Sequence, residues 1–454
     1  MLLQSTLKRK NMRFTILAAI FLTAGTGASA QRMLTLEEAI STALQNNYDI
    51  RIAKNDSLVA ALDYSYRNAV FLPSLNAAGG TTWNTNNQRL KFVKRDGSGG
   101  DSSVTRDAVR THNLNASVNL NWVLFDGFRM FATRDKAEEF LALGSLTIKN
   151  QVVNTVANVV TVYYNIVRQK QQLRATEEQI ALNEERVRLS QYKLDIGTGA
   201  KPDVLQSKVD LNAQKSLKIQ TLTFIEGLKD QLNQAMNMPT GTAFEVADSI
   251  PLNTGLGLGE IQIDIEKTSP TLLIAQKNID IARLTLKEVK ADRWPTISFN
   301  SAYSFNQNDN SVAVNFNQPF YNHNRGFNYG LVASIPIFNQ FNTRRLIRQA
   351  ELNIGLQRLS YESQRSMLNL NVVNAFKIYE QQKLTLALEE ENIVLARENV
   401  DIVFQTYKLG AATLVQLREA QNSLEDANNR LIAARYATKL AEIELLRLRG
   451  QIVR

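Results

Sequence analysis

Very few residues in this chain have types and spacings that could make or break bonds. It has two histidines, His112 and His323, and no cysteine. Two lone imidazoles leave little for general-base catalysis or a zinc centre, and both read as strand-end or loop residues. The missing cysteines exclude disulfides, thiolate metal sites and an N-terminal lipid on cysteine. Gly255-x-Gly257-x-Gly259 is not a phosphate loop, because no strand leads in, no lysine follows and the spacing is wrong. It reads as part of a linker from Met238 to Gly259. With no Ser/His/Asp set and no metal cluster in view, the expectation is a non-enzyme with no cofactor and no metal.

The polar groups that do recur regularly are amides. From His112 to Phe125 the even positions Leu114, Ala116, Val118, Leu120, Trp122 and Leu124 are apolar, and the odd positions Asn113, Asn115, Ser117, Asn119 and Asn121 are polar. Two-residue spacing puts the sets on opposite faces of a strand of about ten residues. Its partner, from Ser74 to about Phe92, is richer in Gly, Thr and Asn, and Lys94 to Asp101 reads as the loop between them. Further on, Ile297, Phe299, Tyr303 and Phe305 alternate with Ser298, Asn300, Ser304 and Asn306. After another loop, Phe327, Tyr329, Leu331, Ala333, Ile335 and Ile337 alternate with Asn328, Gly330 and Ser334. The polar face of a soluble sandwich would carry charges, whereas these faces carry Asn, Ser, Thr and Gly. Aromatics near the strand ends (Trp83, Trp122, Phe125, Phe320, Tyr321, Phe327) have the look of an interfacial girdle. The pattern favours a membrane barrel over a soluble hairpin, with Leu120 and Leu331 facing lipid and Asn119 facing the lumen.

These elements occur twice. Ala69-Val70-Phe71-Leu72-Pro73-Ser74-Leu75-Asn76 returns as Ala291-Asp292-Arg293-Trp294-Pro295-Thr296-Ile297-Ser298, and Phe125-Asp126-Gly127-Phe128 as Phe338-Asn339-Gln340-Phe341. A repeat this long is two homologous halves rather than a solenoid. The expected division is a first repeat over 31–252, with a hairpin at about 74–125 and helices at about 127–238. The second runs over 253–454, with a hairpin at about 296–338 and helices at about 339–449. Residues 1–30 read as a cleaved export signal: Lys8, Arg9, Lys10 and Arg13, an apolar stretch from Phe14 to Leu22, then Ala28-Ser29-Ala30 before a mature start at Gln31. Its removal lowers the formal net charge from +9 to +5, too mild to indicate nucleic acid.

Long helices fill the remainder. Residues 34–72 read as one helix capped by Thr35 and stopped by Pro73. From Asp126 to about Asp195 no proline interrupts, which allows about 100 Å of helix. Val152, Val156, Val159, Tyr163 and Ile166 step by four and three, a coiled-coil seam. Gly197 and Gly410 break each long helix before a return helix. Such helices suit a tube or rod. Four strands per chain cannot close a barrel, so several copies must, two giving eight strands and three twelve.

The whole mature chain resembles the TolC-like outer-membrane efflux channels. The likeness rests on the duplicated order, on Leu72-Pro73-Ser74 and Trp294-Pro295-Thr296 before the hairpins, and on Leu124-Phe125-Asp126-Gly127 and Ile335-Pro336-Ile337-Phe338-Asn339 after them. It also rests on the turn motifs Gly197-x5-Asp203-Val204-Leu205-Gln206 and Gly410 to Gln421. The resemblance implies a mainly α protein with a membrane β-barrel portion: a homotrimer with a twelve-stranded barrel in outer-membrane lipid and a periplasmic α-helical barrel. It implies a passive exit duct of a tripartite efflux or type I secretion system, partnered by a periplasmic adaptor and an inner-membrane pump, with no nucleic acid. By the same resemblance Gln416 and Glu419 mark the periplasmic constriction, Gln416 departing from an acidic pattern. Tyr407 and Asp203 would form the gate latch, weakened because Ala412 stands where a basic residue would reinforce it. Ile196, Gly197, Thr198, Leu409, Gly410 and Ala411 would be the adaptor-docking tips. The rival reading is a periplasmic coiled-coil interaction protein without a pore, which leaves the asparagine-rich hairpins unexplained.

Overall fold

The computed structural model describes residues 33–93, 101–253, 255–259, 265–312 and 320–452. The export signal, the Gln31 start and the Lys94–Gly100 loop lie outside the described residues. The chain divides into two compact units, one of residues 1–50, 152–261 and 372–454, the other of 51–151 and 262–371.

The second unit holds the sheet. Strands β1 (Ser74–Val93), β2 (Asp101–Phe125), β3 (Thr296–Asn310) and β4 (Tyr321–Ser334) pair antiparallel in that order. The pairing of β2 with β3, for example Val118 with Tyr303, joins the two sequence halves in one sheet. β2 is 25 residues long, more than twice the length its alternation suggests. The extra residues lie beyond a bulge between Asn86 and Gln88, where alternation fails. There Ala108 adopts φ +51° and its N–H donates to Asn87 Oδ1 at 2.8 Å. β4 stops at Ser334, short of Ile335 and Ile337, since Pro336 has no N–H for the ladder. Phe327 sits mid-strand rather than at a strand end.

The same unit holds nearly all of helix α2 (Tyr48–Ser65), helix α5 (Pro270–Ala291) and the first parts of α3 (Arg129–Asp195) and α6 (Asn342–Lys408). Gly127, at φ +72°, is needed on two counts, since a Cβ there would stand 2.5 Å from the Ala291 carbonyl oxygen. Ion pairs from α3 to α5 or its C-terminal end, Lys277 with Glu139 at 2.7 Å, Lys136 with Glu288 and Arg129 with Asp292, fix the helices beside it.

The first unit packs α1 (Leu36–Asn46), α4 (Lys201–Met236), α7 (Leu414–Arg449) and the later parts of α3 and α6. The single helix expected over 34–72 is divided at Asn47. Its Oδ1 accepts from the N–H of Asp49 (2.9 Å) and Ile50 (3.3 Å) while its Nδ2 donates to the Ala235 carbonyl (2.8 Å), restarting the helix. Ala39, Ala43, Val156, Val159, Tyr163, Ile166, Leu232 and Met236 form the core. The Met238–Gly259 segment is more than linker. It buries Phe244 and Val246 in that core, and the Tyr163 hydroxyl donates to Leu34 O (3.0 Å) and accepts from Ala247 N (3.2 Å).

Candidate functional site

Two helical turns carry most of the sequence-predicted site residues, and they share one geometry. Gly197 has φ +79° and Gly410 φ +81°. In each turn the next residue's N–H closes on a carbonyl five back: Thr198 to Lys193 at 2.9 Å, Ala411 to Thr406 at 3.0 Å. No atom would obstruct a Cβ at either glycine, so it is the left-handed backbone that requires them. Ile196 and Leu409 project outward, Leu409 being 86% exposed.

Gln416 and Glu419 have different surroundings. Gln416 is the third residue of α7 and completes a capping box: its Oε1 accepts from the Thr413 N–H at 2.8 Å and its own N–H donates to Thr413 Oγ1 at 3.3 Å. Within one chain it thus holds the start of the helix. Glu419, about one turn on, is exposed and has no partner among the described residues.

The two latch residues have distinct partners within one chain. Within the chain Tyr407 does not bond Asp203. Its hydroxyl meets Ser190 Oγ at 3.3 Å, and Lys193 supplies the stronger tie. Lys193 Nζ lies 3.7 Å from the centre of the Tyr407 ring and donates to the Tyr407 carbonyl at 2.6 Å. That carbonyl is at the C-terminal end of α6, where the helix dipole favours a cation. Burial pushes the Lys193 ammonium below its ordinary pKa, and the nearby Asp203 charge pulls it partly back. Asp203, half-buried in the first turn of α4, belongs to this cluster electrostatically. Ser190, Lys193, Asp203, Tyr407 and Thr413 line one cleft of about 430 Å³.

A second cluster went unnoticed in the sequence. Arg186, only 2% exposed, donates from Nη1 to Gln421 Oε1 (2.7 Å) and from Nη2 to Asp210 Oδ2 (2.6 Å). It ties α3 to both α4 and α7. Burial pushes its pKa down against the opposing pull of Asp210. The signal was present as spacing, since Thr176, Gln179, Asn183, Arg186 and Ser190 recur at steps of three and four and all are buried.

On the sheet, register sorts the faces cleanly. Asn113 aligns with Asn308 and Asn322, Asn115 with Asn306 and Asn324, and Asn119 with Ala302 and Asn328. Asn121 Nδ2 donates to Asn300 Oδ1 at 2.9 Å. From the Asn121 row to the Thr111 row this face carries no ionisable residue. The opposite face carries Val118, Leu120, Phe299, Tyr303, Phe327 and Leu331, with Leu331 69% exposed. Such a sheet can line a neutral aqueous passage with one side and meet hydrocarbon with the other.

The family model described as outer membrane efflux protein matches residues 39–235 and again 264–451. The chain is 22% identical to the outer membrane efflux protein BepC of Brucella suis biovar 1 (strain 1330), over 88% of this chain and 86% of that one. It is 20% identical to the outer membrane protein TolC of Escherichia coli (strain K12), over 77% and 73%. Among solved structures, the outer-membrane channel OprN superposes with a TM-score of 0.74 at 16% identity, covering 92% of this chain and 90% of that one.

Proposed function

The chain belongs to the outer membrane efflux protein family, and we propose that it is the passive exit duct of a tripartite efflux or type I secretion system. The protein resides in the outer membrane and extends into the periplasm. The observation that carries the finer reading is the two-faced, four-stranded sheet, whose edge strands β1 and β4 have no partner beyond the sheet among the described residues. Open edges are not tolerated in lipid, so β4 of one copy pairs with β1 of the next. Three copies close a twelve-stranded barrel around the asparagine-lined face, wide enough for a conduit. Residues 1–30 are the export signal, and the repeats are 31–252 and 253–454.

The helical turns form the periplasmic end. Ile196-Gly197-Thr198 and Leu409-Gly410-Ala411 are the tips that dock an adaptor, through which an inner-membrane pump delivers substrate. Glu419 carboxylates from three copies ring the mouth. Gln416 stays in its cap, and Lys193 holds Tyr407 in place of the base missing at Ala412.

Single-channel recording in planar bilayers tests this reading. Leu120→Arg costs about 2–4 kcal/mol near the bilayer midplane and abolishes assembly of conducting trimers. Asn119→Arg, on the amide face, assembles and shifts selectivity toward anions. Equal tolerance of the two substitutions, or no conductance from the unaltered protein, would overturn it.

A further inference from the structure

The apolar face of the sheet ends, toward the hairpin loops, in cations that no acid among the described residues pairs with. Its last aligned row is Trp83, His112, Asp309 and Tyr321, preceded by Thr81, Leu114, Gln307 and His323, and before that by Gly79, Ala116, Phe305 and Arg325. Arg110 stands one row beyond His112, opposite Thr85.

The one acid here is already engaged. Asp309 accepts from Gln307 Nε2 at 2.9 Å and lies 3.6 Å from His112 Nδ1. His112 is held on its other side, with Nε2 2.7 Å from Thr81 Oγ1 and its ring stacked on Trp83 at 5.0 Å. The guanidinium groups of Arg110 and Arg325 have no ion-pair or hydrogen-bond partner among the described residues. His323 rests against Phe305, with ring centres 4.8 Å apart, and leaves both nitrogens without a hydrogen bond there.

The position of this patch matters as much as its charge. Trp122 and His112 are ten residues apart on β2, so their rows are separated by about 34 Å along the strand at ~3.4 Å per residue. Tilted by about 40°, that becomes about 25 Å of height, the thickness of a barrel's apolar band. Trp122 and Trp83 thus bracket the band, and the cations lie at its loop-side boundary. Arg325 is four positions further in, about 10 Å of height from that row, and its long side chain is able to extend toward the boundary. On the apolar-face positions of β1 that a neighbouring copy would bring beside β4, Thr81, Trp83 and Thr85 offer no carboxylate.

We propose that Arg110, His323 and Arg325 hold the phosphate groups of lipids in the leaflet that meets the hairpin-loop end. This rests on the channel reading above and names the partner of its loop-side rim. Arginine forks match phosphate oxygens, and the aromatic rings beside them suit the headgroup level.

The test uses the mature trimer in mixed micelles containing phosphatidic acid or phosphatidylcholine, with retained lipid counted by native mass spectrometry. The unaltered protein should retain phosphatidic acid preferentially by tenfold or more, since each cation near an anionic surface contributes roughly fivefold. Combining Arg110→Gln, His323→Gln and Arg325→Gln should reduce the preference to less than about twofold while single-channel conductance stays normal, showing an intact barrel. Arg325→Gln alone should lower it about fivefold. Asn322→Ser with Asn324→Ser, on the opposite face, should leave it unchanged. Retention of both lipids alike by a conducting protein overturns the headgroup site alone. Complete displacement by millimolar inorganic phosphate overturns it in favour of a free-anion site. A protein that forms no pore at all strikes the channel reading instead.

Discussion

Helix α3 buries two stretches of side chains at the same steps but with opposite chemistry. Val156, Val159, Tyr163 and Ile166 advance by three, four and three; Thr176, Gln179, Asn183, Arg186 and Ser190 advance by three, four, three and four. Every one of them is buried. Helical geometry alone decides which positions face inward, whatever their type. Composition decides what separation would cost. Apolar burial is non-directional, and its whole area returns to water when the helices part. The polar stretch loses much less, because water can replace its hydrogen bonds, and Asn183 Oδ1, Arg186 Nε and the facing Gln421 Nε2 have no partner among the described residues. The first stretch suits a permanent anchor. The second suits a contact that is made and released near the turns.

The sharpest way to break this contrast is to exchange the chemistries. Val159→Asp places an unpaired carboxylate in a fully buried apolar site and should destabilise the folded chain by more than about 4 kcal/mol, leaving no heat-resistant trimer on gels. Ser190→Val, equally buried, gives up only weak hydroxyl contacts at 3.3–3.4 Å and should cost less than about 1.5 kcal/mol. Equal losses would mean that burial, not composition, sets the strength of both stretches.

Arg186 provides the next test. Arg186→Ala leaves Asp210 Oδ2 and Gln421 Oε1 without their donor and should lower stability by about 2–4 kcal/mol, the Gln206 bond to Asp210 Oδ1 and the exposure of Asp210 to water softening the loss. Arg186→Met combined with Asp210→Leu removes both charges together and should be nearly neutral in thermal inactivation. It should also reduce channel opening, because an apolar contact has replaced a releasable one. A double substitution as harmful as Arg186→Ala would show that the ion pair itself, rather than the orphaned partner, sets the stability.

How far the sequence disclosed all this depended on whether a residue's role shows in its own periodicity. The strands after His112 and around Ile297 were legible because two-residue alternation separates amide from apolar faces without tertiary information. Gly197 and Gly410 were legible because a left-handed turn selects glycine. The polar stretch was hidden: Thr, Gln, Asn and Arg at helical spacing look the same as a solvated face until a neighbouring helix covers them. Thr413-x-x-Gln416 shows the opposite failure. The capping-box pattern stood in the sequence, but Gln416 was read there only for its place in the family motif, and its bonds to Thr413 went unremarked. Asn47 was missed because the helical reading runs on through it, and its cap bonds from Asp49 and Ile50, with its bond to Ala235, reveal the break. Lys193 had no local signal at all, since its partners are a ring and a carbonyl more than two hundred residues away.

The smallest expected effect belongs to Lys193, at the end of the polar stretch, and it probes release most directly. Lys193→Met keeps the stem and removes the charge, losing the bond to the Tyr407 carbonyl and the contact with its ring. Together these contribute about 1–2 kcal/mol, so the ratio of open to closed states should rise roughly five- to thirtyfold in planar bilayers. The pH dependence has a definite sign. In the engaged state burial lowers the Lys193 pKa despite Asp203, whereas a released lysine in water returns to 10.5. Between the lowered value and 10.5 the engaged state binds fewer protons than the released one, so raising the pH through that window favours engagement. Openings of the unaltered channel should therefore become rarer as pH climbs toward 10.5, and the Lys193→Met channel should lack that trend. A steeper opening with alkali would mean that the charged lysine holds Tyr407 more tightly than its burial opposes the charge. The contact would then act as a fixed clamp, and the polar stretch would end in an anchor like the apolar one.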